Sequence, residues 1–397
     1  MPLSPRVAFF TDSFHEVNGV ALTSRQLDAF ARRKQLPFLS IHAGPATRLT
    51  RGGAYWEYEL QRGRALVSLD RDLSLDLLLT RYRGDVLQCV REFQPDLIHI
   101  TGPGDFGILG FWLSRTLDVP LVASWHTNLH EFAARRLEKL LGFIPEGPRR
   151  ASSQFADRTS LDAVLWFYAK AEVCLAPNRE LIELVGQGTG RPTFLMQRGV
   201  DTLLFSPERR EPGDRPFTCG FVGRLQAEKN VRFLVDLERA LLGAGVRNFR
   251  FLIVGDGGEK EWLQQNLQHA EFPGVLKGEE LARAYANMDV FVFPSFTDTF
   301  GNVILEAMAS GVPAVVTTGG GPKFLVESGV TGFIAADDAA FIASVIHLAE
   351  DRDLRDRMGV LARRNALSRS WDLAFEQVYE AYRCCLSGRR KALAGVC

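Results

Sequence analysis

The sequence lacks the features of membrane-spanning, secreted and nucleic-acid-binding proteins. A helix that spans a membrane needs about 20 apolar residues, and no apolar run in the sequence approaches this length. The first residues lead into an apolar run without a signal-peptide pattern. The six cysteines have no Cys-x-x-Cys or zinc-type spacing, which is typical of reduced thiols. Basic and acidic residues number 47 each, which disfavours binding to nucleic acid through bulk charge. We therefore expect a cytoplasmic protein that either stays in solution or lies at the inner face of a membrane.

The dinucleotide fingerprint Gly-x-Gly-x-x-Gly is also missing after the first apolar run, which disfavours a nicotinamide dehydrogenase. The chain instead reads Asn18-Gly19-Val20 just before a helical pattern. Gly19 would let a ligand approach the backbone, and the helix start would offer N–H groups to a phosphate. An ordinary strand-to-helix loop would use the same glycine, so this motif does not decide the function by itself.

Short apolar runs bounded by turn residues recur along the 397 residues, of which 46% are hydrophobic. Because the runs are continuous rather than alternating, both faces of each strand are expected to be buried, as in parallel sheets. Helical patterns lie between them, for example at 21–33, 231–244 and 260–268. The fold class is therefore predicted to be α/β. The runs are 6–11, 37–42, 96–101, 120–125, 172–176, 192–196, 218–222, 249–254, 290–294 and 313–317.

The strand–helix pattern restarts once, after a polar, proline-containing segment at 206–216. We interpret this segment as a linker between a domain at 1–205 and a second domain that begins at 217. The length of the chain also suits two domains. Each is predicted to be Rossmann-like, with ligands bound at the carboxyl ends of its strands. Two such sheets facing one another would share a central cleft.

The segment 293–313 holds two carboxylates, Asp298 and Glu306, eight positions apart. If a helix begins near Asn302, the amides of 300–303 point out of its N-terminus, where anions are favoured. Carboxylates suit hydroxyl groups and amides suit phosphates, so the segment is typical of a sugar-nucleotide site. A carboxylate pair for acid–base catalysis, as in glycosidases, is the alternative interpretation.

Basic side chains follow two other apolar runs. Arg224 and Lys229 could bind a diphosphate and neutralise its charge as it leaves. A surface ion pair with Glu228 is the alternative for this loop. His126 follows the run at 120–125 and could donate to a sugar hydroxyl. A hydrogen bond to nearby backbone is equally compatible with its position.

Glycine loops at 255–258 and 319–321 would permit close approach of a ligand, although plain turns would have the same composition. Two Asp-x-Asp spacings, at 70–72 and 351–353, lie in charged segments, and we predict no catalytic metal. A basic segment at 135–150 with interleaved apolar residues could contact an anionic membrane or cover its own domain.

Together these motifs resemble the retaining, GT-B-fold glycosyltransferases of family 4, over essentially the whole chain. The chain looks most like the branch that contains sulfoquinovosyl-diacylglycerol synthases and GDP-mannose-dependent α-mannosyltransferases acting on lipids. The most specific segment is 297–303, which reads Thr-Asp-Thr-Phe-Gly-Asn-Val. The resemblance also rests on 18–20, His126, 198–201, 223–225, 228–230, 255–257, Glu306 and 319–322.

The resemblance implies a GT-B architecture, in which two Rossmann-like domains with parallel sheets face a central cleft. The N-terminal domain would bind the acceptor and the domain at 217–371 the donor nucleotide. The segment 372–397 would be a C-terminal helix that crosses back onto the N-terminal domain. The reaction would be a front-face displacement with retention, without a metal or another cofactor and without a covalent enzyme intermediate.

The family also implies roles for the matching residues. In the catalytic set, His126 would contact the donor sugar, Arg224 and Lys229 the diphosphate, and Asp298 the sugar hydroxyls. Many relatives have glutamate at the position of Asp298, and aspartate keeps the charge but is shorter by one methylene. Glu306 would hold the ribose hydroxyls. The other donor-binding residues would be Asn18, Gly19, Val20, Gly223, Gly255, Phe300, Gly301, Asn302 and Val303.

The predicted activity is transfer of a hexose from UDP- or GDP-hexose to a hydroxyl of a lipid or saccharide acceptor, with peripheral membrane contact and no nucleic acid as partner. A sugar-nucleotide epimerase of the same fold is an alternative, but it would need further acidic and basic groups around the sugar. A sugar-nucleotide-binding protein that has lost catalysis is another alternative. It is disfavoured by the presence of His126, Arg224, Lys229 and Glu306.

Overall fold

A computed structural model describes residues 4–16, 18–63, 66–70, 73–76, 79–126, 159–213 and 215–393. The chain divides into two compact units. Unit 1 comprises Met1–Gln197 together with Ala374–Cys397, and unit 2 comprises Arg198–Leu373. The basic segment at 135–150 lies outside the described residues, as do Arg71 and Asp72 of the first Asp-x-Asp spacing.

Unit 1 is built on an eight-stranded sheet with the order β10-β9-β8-β7-β1-β2-β4-β3. Its strands are parallel except for β3, which runs antiparallel to β4 at one edge. Strands β5 and β6 form a separate antiparallel pair. The strands are β1 (Val7–Thr11), β2 (Phe38–Gly44), β3 (Arg48–Gly52), β4 (Tyr55–Gln61), β5 (Leu66–Asp70), β6 (Leu73–Asp76), β7 (Leu97–Ile100), β8 (Leu121–Ser124), β9 (Val173–Ala176) and β10 (Thr193–Leu195).

The helices of unit 1 pack on this sheet through apolar faces. The first begins after Asn18, whose side chain accepts a hydrogen bond from the Ala21 amide at 2.8 Å and so satisfies a free N–H of the first turn. The last helix of the chain starts at the end of unit 2 and contributes Phe375 and Tyr379 to the core of unit 1 against Phe30. The helices are α1 (Gly19–Arg33), α2 (Arg83–Phe93), α3 (Asp105–Leu117), α4 (Arg179–Thr189) and, at the C-terminus, α11 (Trp371–Leu393). Residues 159–168 are also helical.

Unit 2 is built on a six-stranded parallel sheet with the order β13-β12-β11-β14-β15-β16. Its strands are β11 (Phe217–Val222), β12 (Phe249–Val254), β13 (Ala270–Gly274), β14 (Val290–Phe293), β15 (Ala314–Thr317) and β16 (Gly332–Ala335). Its helices are α5 (Phe233–Gly243), α6 (Lys260–Asn266), α7 (Gly278–Ala286), α8 (Asn302–Ala309), α9 (Asp338–Glu350) and α10 (Arg352–Leu367).

The second Asp-x-Asp spacing has a structural role in unit 2. The Asp351 side chain accepts a hydrogen bond from the Leu354 amide at 2.8 Å and caps the N-terminus of α10. Asp353 then lies in the first turn, where a negative charge is favoured by the helix dipole. A helix start therefore accounts for these two carboxylates.

The predicted α/β class with parallel sheets is confirmed, and all ten predicted runs form strands. The strands at the centre of each sheet are buried along their whole length, for example β1 and β11, because helices cover both faces. Strands β3, β4, β5, β6, β13 and β16 were not predicted. They lie at or next to sheet edges, where polar residues interrupt the apolar pattern, as in β4 with two glutamates. Within the described residues, no helix is long and apolar enough to cross a membrane.

Candidate active site

Four loops of unit 2 lie at one edge of its sheet because they follow neighbouring parallel strands. The strands β12, β11, β14 and β15 are adjacent in that order. The loops that leave them carry three of the four predicted catalytic residues, namely Arg224, Lys229 and Asp298. This is the edge at which open α/β sheets bind ligands. The loops are 255–258 after β12, 223–230 after β11, 294–301 after β14 and 318–321 after β15.

Lys229 and Asp298 form a close ion pair at this edge. The Lys229 ammonium donates to both carboxylate oxygens of Asp298, each at 2.7 Å, although 69 positions separate the two residues. The Ser295 hydroxyl donates to one of these oxygens, also at 2.7 Å. Both charged side chains are mostly shielded from solvent, at 13% and 20% exposure. The pair therefore fixes a cation and an anion side by side where strands β11 and β14 end.

Arg224 lies on the same loop as Lys229 and is more exposed. Its guanidinium is 3.6 Å from the Glu228 carboxylate, one helical turn along the chain. This is the ion pair considered from the sequence as the alternative to phosphate binding. A pair of this kind between half-exposed groups is weak, so Glu228 does not prevent Arg224 from meeting an anionic ligand.

Glu306 lies on α8, which begins at Asn302, where the sequence predicts a helix start. The Tyr285 hydroxyl donates to the Glu306 carboxylate at 2.8 Å. Surrounding protein removes water from the carboxylate and raises its pKa to about 7, and the hydrogen bond from Tyr285 acts in the opposite direction. Part of the side chain remains accessible. Glu306 can therefore accept hydrogen bonds from a ligand when it is ionised.

The other predicted residues of this segment lie at the start of α8. Gly301 precedes the helix with a left-handed φ of 96°. Phe300 is buried, whereas Asn302 and Val303 are half-buried in the first turn. Their amides belong to a helix N-terminus that follows Asp298 by a few residues, so a carboxylate and N–H donors lie on one short segment.

Arg198 is a site residue to which the sequence alone assigns no role, although its motif contributes to the family resemblance. It is buried, and its guanidinium donates to the Asn302 side chain at 3.4 Å and lies 5.4 Å from the centre of the Phe300 ring. Burial lowers the pKa of Arg198 to about 10, while the Asp298 carboxylate favours its charged form. It therefore adds a third cation beside this segment. A buried arginine about 100 positions before its neighbours leaves no local sequence pattern.

The glycine loops pack against other loops of the site. A Cβ on Gly255, whose φ is 146°, would lie 1.9 Å from the Gly223 carbonyl oxygen. A Cβ on Gly320 would lie 2.5 Å from the Asp298 carbonyl oxygen, and one on Gly321 would lie 2.0 Å from that of Thr299. The space that these glycines leave is filled by the protein's own backbone. They hold the loops of Arg224 and Asp298 in place.

Unit 1 contains the other predicted site residues. Asn18 caps α1, and its amide group also donates to the Ser13 hydroxyl at 3.2 Å. Gly19 and Val20 form the first residues of that helix and are half-buried. His126 follows β8, is buried, and has its Nε2 atom 2.7 Å from the Ser124 hydroxyl. Their contacts with a ligand stay predictions.

Unit 1 also brings three potential metal ligands together. His15, His42 and Glu59 offer ligand atoms that all lie within 4.8 Å of one another. Glu59 already receives a hydrogen bond from Arg48 at 2.8 Å, and His42 lies 3.4 Å from the Glu57 carboxylate. Because these partners balance the charges, the group can exist without an ion. The expectation of a metal-independent reaction stays a prediction.

Comparisons with known proteins match both halves of the chain. A family profile described as Glycosyltransferase Family 4 matches residues 43–218. A second profile, described as Glycosyl transferases group 1, matches residues 216–351.

Several relatives have informative names. A GDP-mannose-dependent alpha-mannosyltransferase of Mycolicibacterium smegmatis is 34% identical over 332 residues, which cover 81% of each chain. A protein of the same name from Corynebacterium glutamicum is 29% identical over 95% of this chain and 88% of its own. A sulfoquinovosyl transferase of Arabidopsis thaliana is 30% identical over 74% of this chain and 57% of its own.

Solved structures show the same fold at lower identity. A sucrose-phosphate synthase from Thermosynechococcus elongatus has a TM-score of 0.71 at 19% identity, with 96% of this chain and 99% of the other covered. The Anabaena protein HepE in complex with UDP and glucose has a TM-score of 0.68 at 19% identity, with the same coverage. Both confirm the predicted two-domain α/β architecture.

Proposed function

The chain belongs to glycosyltransferase family 4, and from this premise we propose that it moves a hexose from a nucleotide-diphosphate sugar to an acceptor hydroxyl with retention of configuration. It is a glycosyltransferase with the GT-B fold. Its branch contains GDP-mannose-dependent α-mannosyltransferases and sulfoquinovosyl transferases.

The observation that carries the proposal is the contact between Lys229 and Asp298. In a nucleotide sugar, the diphosphate and the hexose adjoin at the bond that breaks. A cation suits the diphosphate and a carboxylate suits the sugar hydroxyls. Their 2.7 Å contacts at the end of neighbouring strands support a site in which one ligand meets both groups. Glu306, on the following helix, would bind the ribose hydroxyls.

The chemistry needs positive charge at the leaving group. The bond between the anomeric carbon and the diphosphate oxygen breaks, and a bond from the acceptor oxygen forms on the same face. The proton of the acceptor hydroxyl passes to the departing diphosphate. Arg224 and Lys229 would stabilise the negative charge that develops there, and stabilisation of this kind accounts for much of the rate enhancement in many enzymes. The chain's own cations thus supply what a metal supplies in other transferases.

For the donor we propose GDP-mannose. The relatives named as GDP-mannose-dependent mannosyltransferases include those at 34% and 35% identity over 81% and 78% of the chain. A thermal-shift screen against GDP, UDP, ADP and their hexose conjugates separates the candidates, because a ligand of the native state raises the melting temperature by mass action. GDP-mannose should give the largest shift. A larger shift with a UDP-hexose would contradict the assignment of the base.

For the acceptor we propose a membrane glycerolipid, with a saccharide as the alternative. Release of GDP from GDP-mannose is measured with and without vesicles that contain diacylglycerol, in the presence of EDTA. We expect release to be stimulated by the vesicles and to persist in EDTA. Loss of activity in EDTA that Mg²⁺ restores would refute the metal-independent reaction. Stimulation by soluble saccharides alone would refute the lipid acceptor.

Substitution of the cations tests their proposed role. Lys229→Ala and Arg224→Ala should each lower transfer by about 100-fold or more, as expected for loss of a group that stabilises transition-state charge. The control is Arg239→Ala, which removes a surface arginine that pairs with Asp236 on α5. Circular dichroism should match the wild type in all three variants, and only Lys229→Ala should melt at a lower temperature, because it leaves the shielded Asp298 carboxylate without its ion pair. Transfer at the wild-type rate in Lys229→Ala would remove the basis of the proposal.

A further inference from the structure

A chain of buried hydrogen bonds leads from the C-terminal helix to His126 in unit 1. The Tyr382 hydroxyl lies 2.7 Å from Nδ1 of His99, and Nε2 of His99 lies 2.9 Å from the Ser124 hydroxyl. The same hydroxyl lies 2.7 Å from Nε2 of His126. We call these four residues the histidine relay. The first three are fully buried and His126 almost so, which excludes bulk water as an alternative partner.

The direction of the first hydrogen bond follows from the surroundings of Tyr382. Among the described residues, its hydroxyl has His99 as its one hydrogen-bond partner. A buried O–H without an acceptor costs about 1–3 kcal/mol, so the Tyr382 hydroxyl donates to Nδ1 of His99. Burial also raises the pKa of Tyr382 and lowers that of His99 to about 3, so the tyrosine keeps its proton and the imidazole is neutral.

The remaining hydrogen bonds of the relay then have one favourable arrangement of donors and acceptors. A neutral His99 that accepts at Nδ1 carries its proton on Nε2 and donates it to the Ser124 oxygen. The Ser124 proton can point to His126 at 2.7 Å or to the Ile100 carbonyl oxygen at 3.3 Å. The first distance is the usual one for a hydrogen bond from a hydroxyl, whereas the second is too long for a strong one. Nε2 of His126 therefore accepts, and its proton resides on Nδ1.

We propose that Tyr382 is a positioning residue that acts through His99 and Ser124 to hold His126 in the tautomer protonated on Nδ1. This inference rests on the proposed glycosyl transfer and on the role that the family resemblance implies for His126, contact with the donor sugar, because only then does the tautomer matter for transfer. A fixed Nδ1–H gives the imidazole a hydrogen-bond donor of defined direction. The C-terminal helix thereby fixes the imidazole that follows β8, although the helix comes after both sheets in sequence.

The helix also supplies a matched control. Tyr379 lies one turn before Tyr382, and its hydroxyl is likewise buried but has no hydrogen-bond partner within the described part of the chain. Tyr379→Phe and Tyr382→Phe therefore remove the same atom from the same helix in similar surroundings. Only Tyr382→Phe breaks the relay.

The test uses the full chain labelled with ¹⁵N in its histidine rings, since ring nitrogen shifts distinguish protonated from unprotonated nitrogens. His126→Gln assigns the signals. In the wild type, the proton of His126 should be on Nδ1. In Tyr382→Phe the tautomer equilibrium should move about fivefold toward Nε2–H, as for loss of one hydrogen bond, whereas Tyr379→Phe should leave it unchanged. Ser124→Ala should move the tautomer equilibrium of His126 in the same direction. This variant replaces Tyr382→Phe in the test if Tyr382→Phe unfolds below the assay temperature.

The outcomes separate the relay from the proposed function. The relay would be overturned if His126 in the wild type carried its proton on Nε2, or if both tyrosine variants shifted the tautomer equilibrium equally. Either result would do so regardless of the rate of transfer. Transfer should also fall about fivefold in Tyr382→Phe with an unchanged KM for the donor, as for a group that acts in the transition state. A shifted tautomer with unchanged transfer would support the relay and overturn the proposed role of His126.

Discussion

At the scale of single residues, the ion pair of Lys229 and Asp298 explains how one site handles opposite charges. Each group satisfies the other at 2.7 Å. Under the proposed function, a diphosphate would offer Lys229 a second anion, and the sugar hydroxyls would offer Asp298 new donors. This exchange would keep both side chains paired, so neither would be left as an isolated charge in a shielded place.

Substitution of Asp298 should separate sugar binding from diphosphate binding. Asp298→Asn should lower transfer by about 100-fold or more, because a charged contact with the donor sugar is lost. The same change frees Lys229 from its ion pair, so the affinity for free GDP should stay equal or rise. Titration calorimetry with GDP measures this affinity. Asp236→Asn, which removes an exposed carboxylate paired with Arg239 on α5, is the control. GDP binding that weakens as much as transfer would contradict the assignment of Asp298 to the sugar.

The raised pKa of Glu306 makes the stability of the protein depend on pH. The group has an ordinary value of 4.5 and a folded-state pKa of about 7. The unfolded chain ionises freely above pH 4.5, whereas the folded state holds its proton, so the favourable contribution present below pH 4.5 is lost as pH rises to about 7. Glu306→Gln removes this dependence.

Glu306→Gln should therefore match the wild type in stability at about pH 4 and exceed it at about pH 8. The difference should be on the order of 1 kcal/mol, because solvent screens the accessible part of the carboxylate. Urea unfolding at both pH values measures it. A difference in stability that does not change between the two pH values would show that ionisation of Glu306 costs nothing.

At the scale of elements, the loops after β11, β12, β14 and β15 form one packed layer. Gly255 approaches the Gly223 carbonyl, and Gly320 approaches that of Asp298, in positions that no side chain can share. The backbone amide of Gly321 also donates to the Asp298 carbonyl at 2.6 Å. The charged residues thus lie on loops that pack tightly against one another, and such packing keeps a site preorganised.

Two glycines of one loop should respond differently to alanine. Gly255→Ala should destabilise the protein by about 1–3 kcal/mol or more, because its Cβ meets backbone at 1.9 Å and its φ is unfavourable for alanine. Gly258→Ala should change stability by less than about 0.5 kcal/mol, since its Cβ would meet only the Gln226 side chain at 3.7 Å. Denaturant unfolding measures both. Equal stability of the two variants would contradict the close packing of these loops.

The sequence predicts elements better than contacts. Continuous apolar runs identify the buried strands, and the helix considered near Asn302 is present as α8. By contrast, the pairing of Lys229 with Asp298 depends on β11 lying beside β14 in the sheet. The sequence gives the order of the strands along the chain but not which strands are neighbours. The relay from Tyr382 to His99 spans 283 positions and depends on the last helix packing in unit 1. Such contacts have no local pattern.

At the scale of the whole molecule, the two units carry different groups of the predicted site residues. Unit 2 carries the charged residues and helix N-terminus that suit a nucleotide sugar, as well as the profile match at 216–351. Unit 1 carries His126 and its relay, in addition to the helix that begins at Gly19. The two units share an α/β plan, and the specific chemistry resides in the loops that leave their strands.

The proposed reaction depends above all on Lys229 binding the diphosphate of a sugar-nucleotide donor. The most direct measurement is the melting temperature of the wild type and of Lys229→Ala, each with and without saturating GDP in EDTA. We predict that GDP raises the melting temperature of the wild type by several degrees, as expected for a ligand at many times its dissociation constant, and that it leaves Lys229→Ala unchanged. An equal rise in both proteins would contradict this role of Lys229, as would no rise in the wild type with GDP, UDP or ADP.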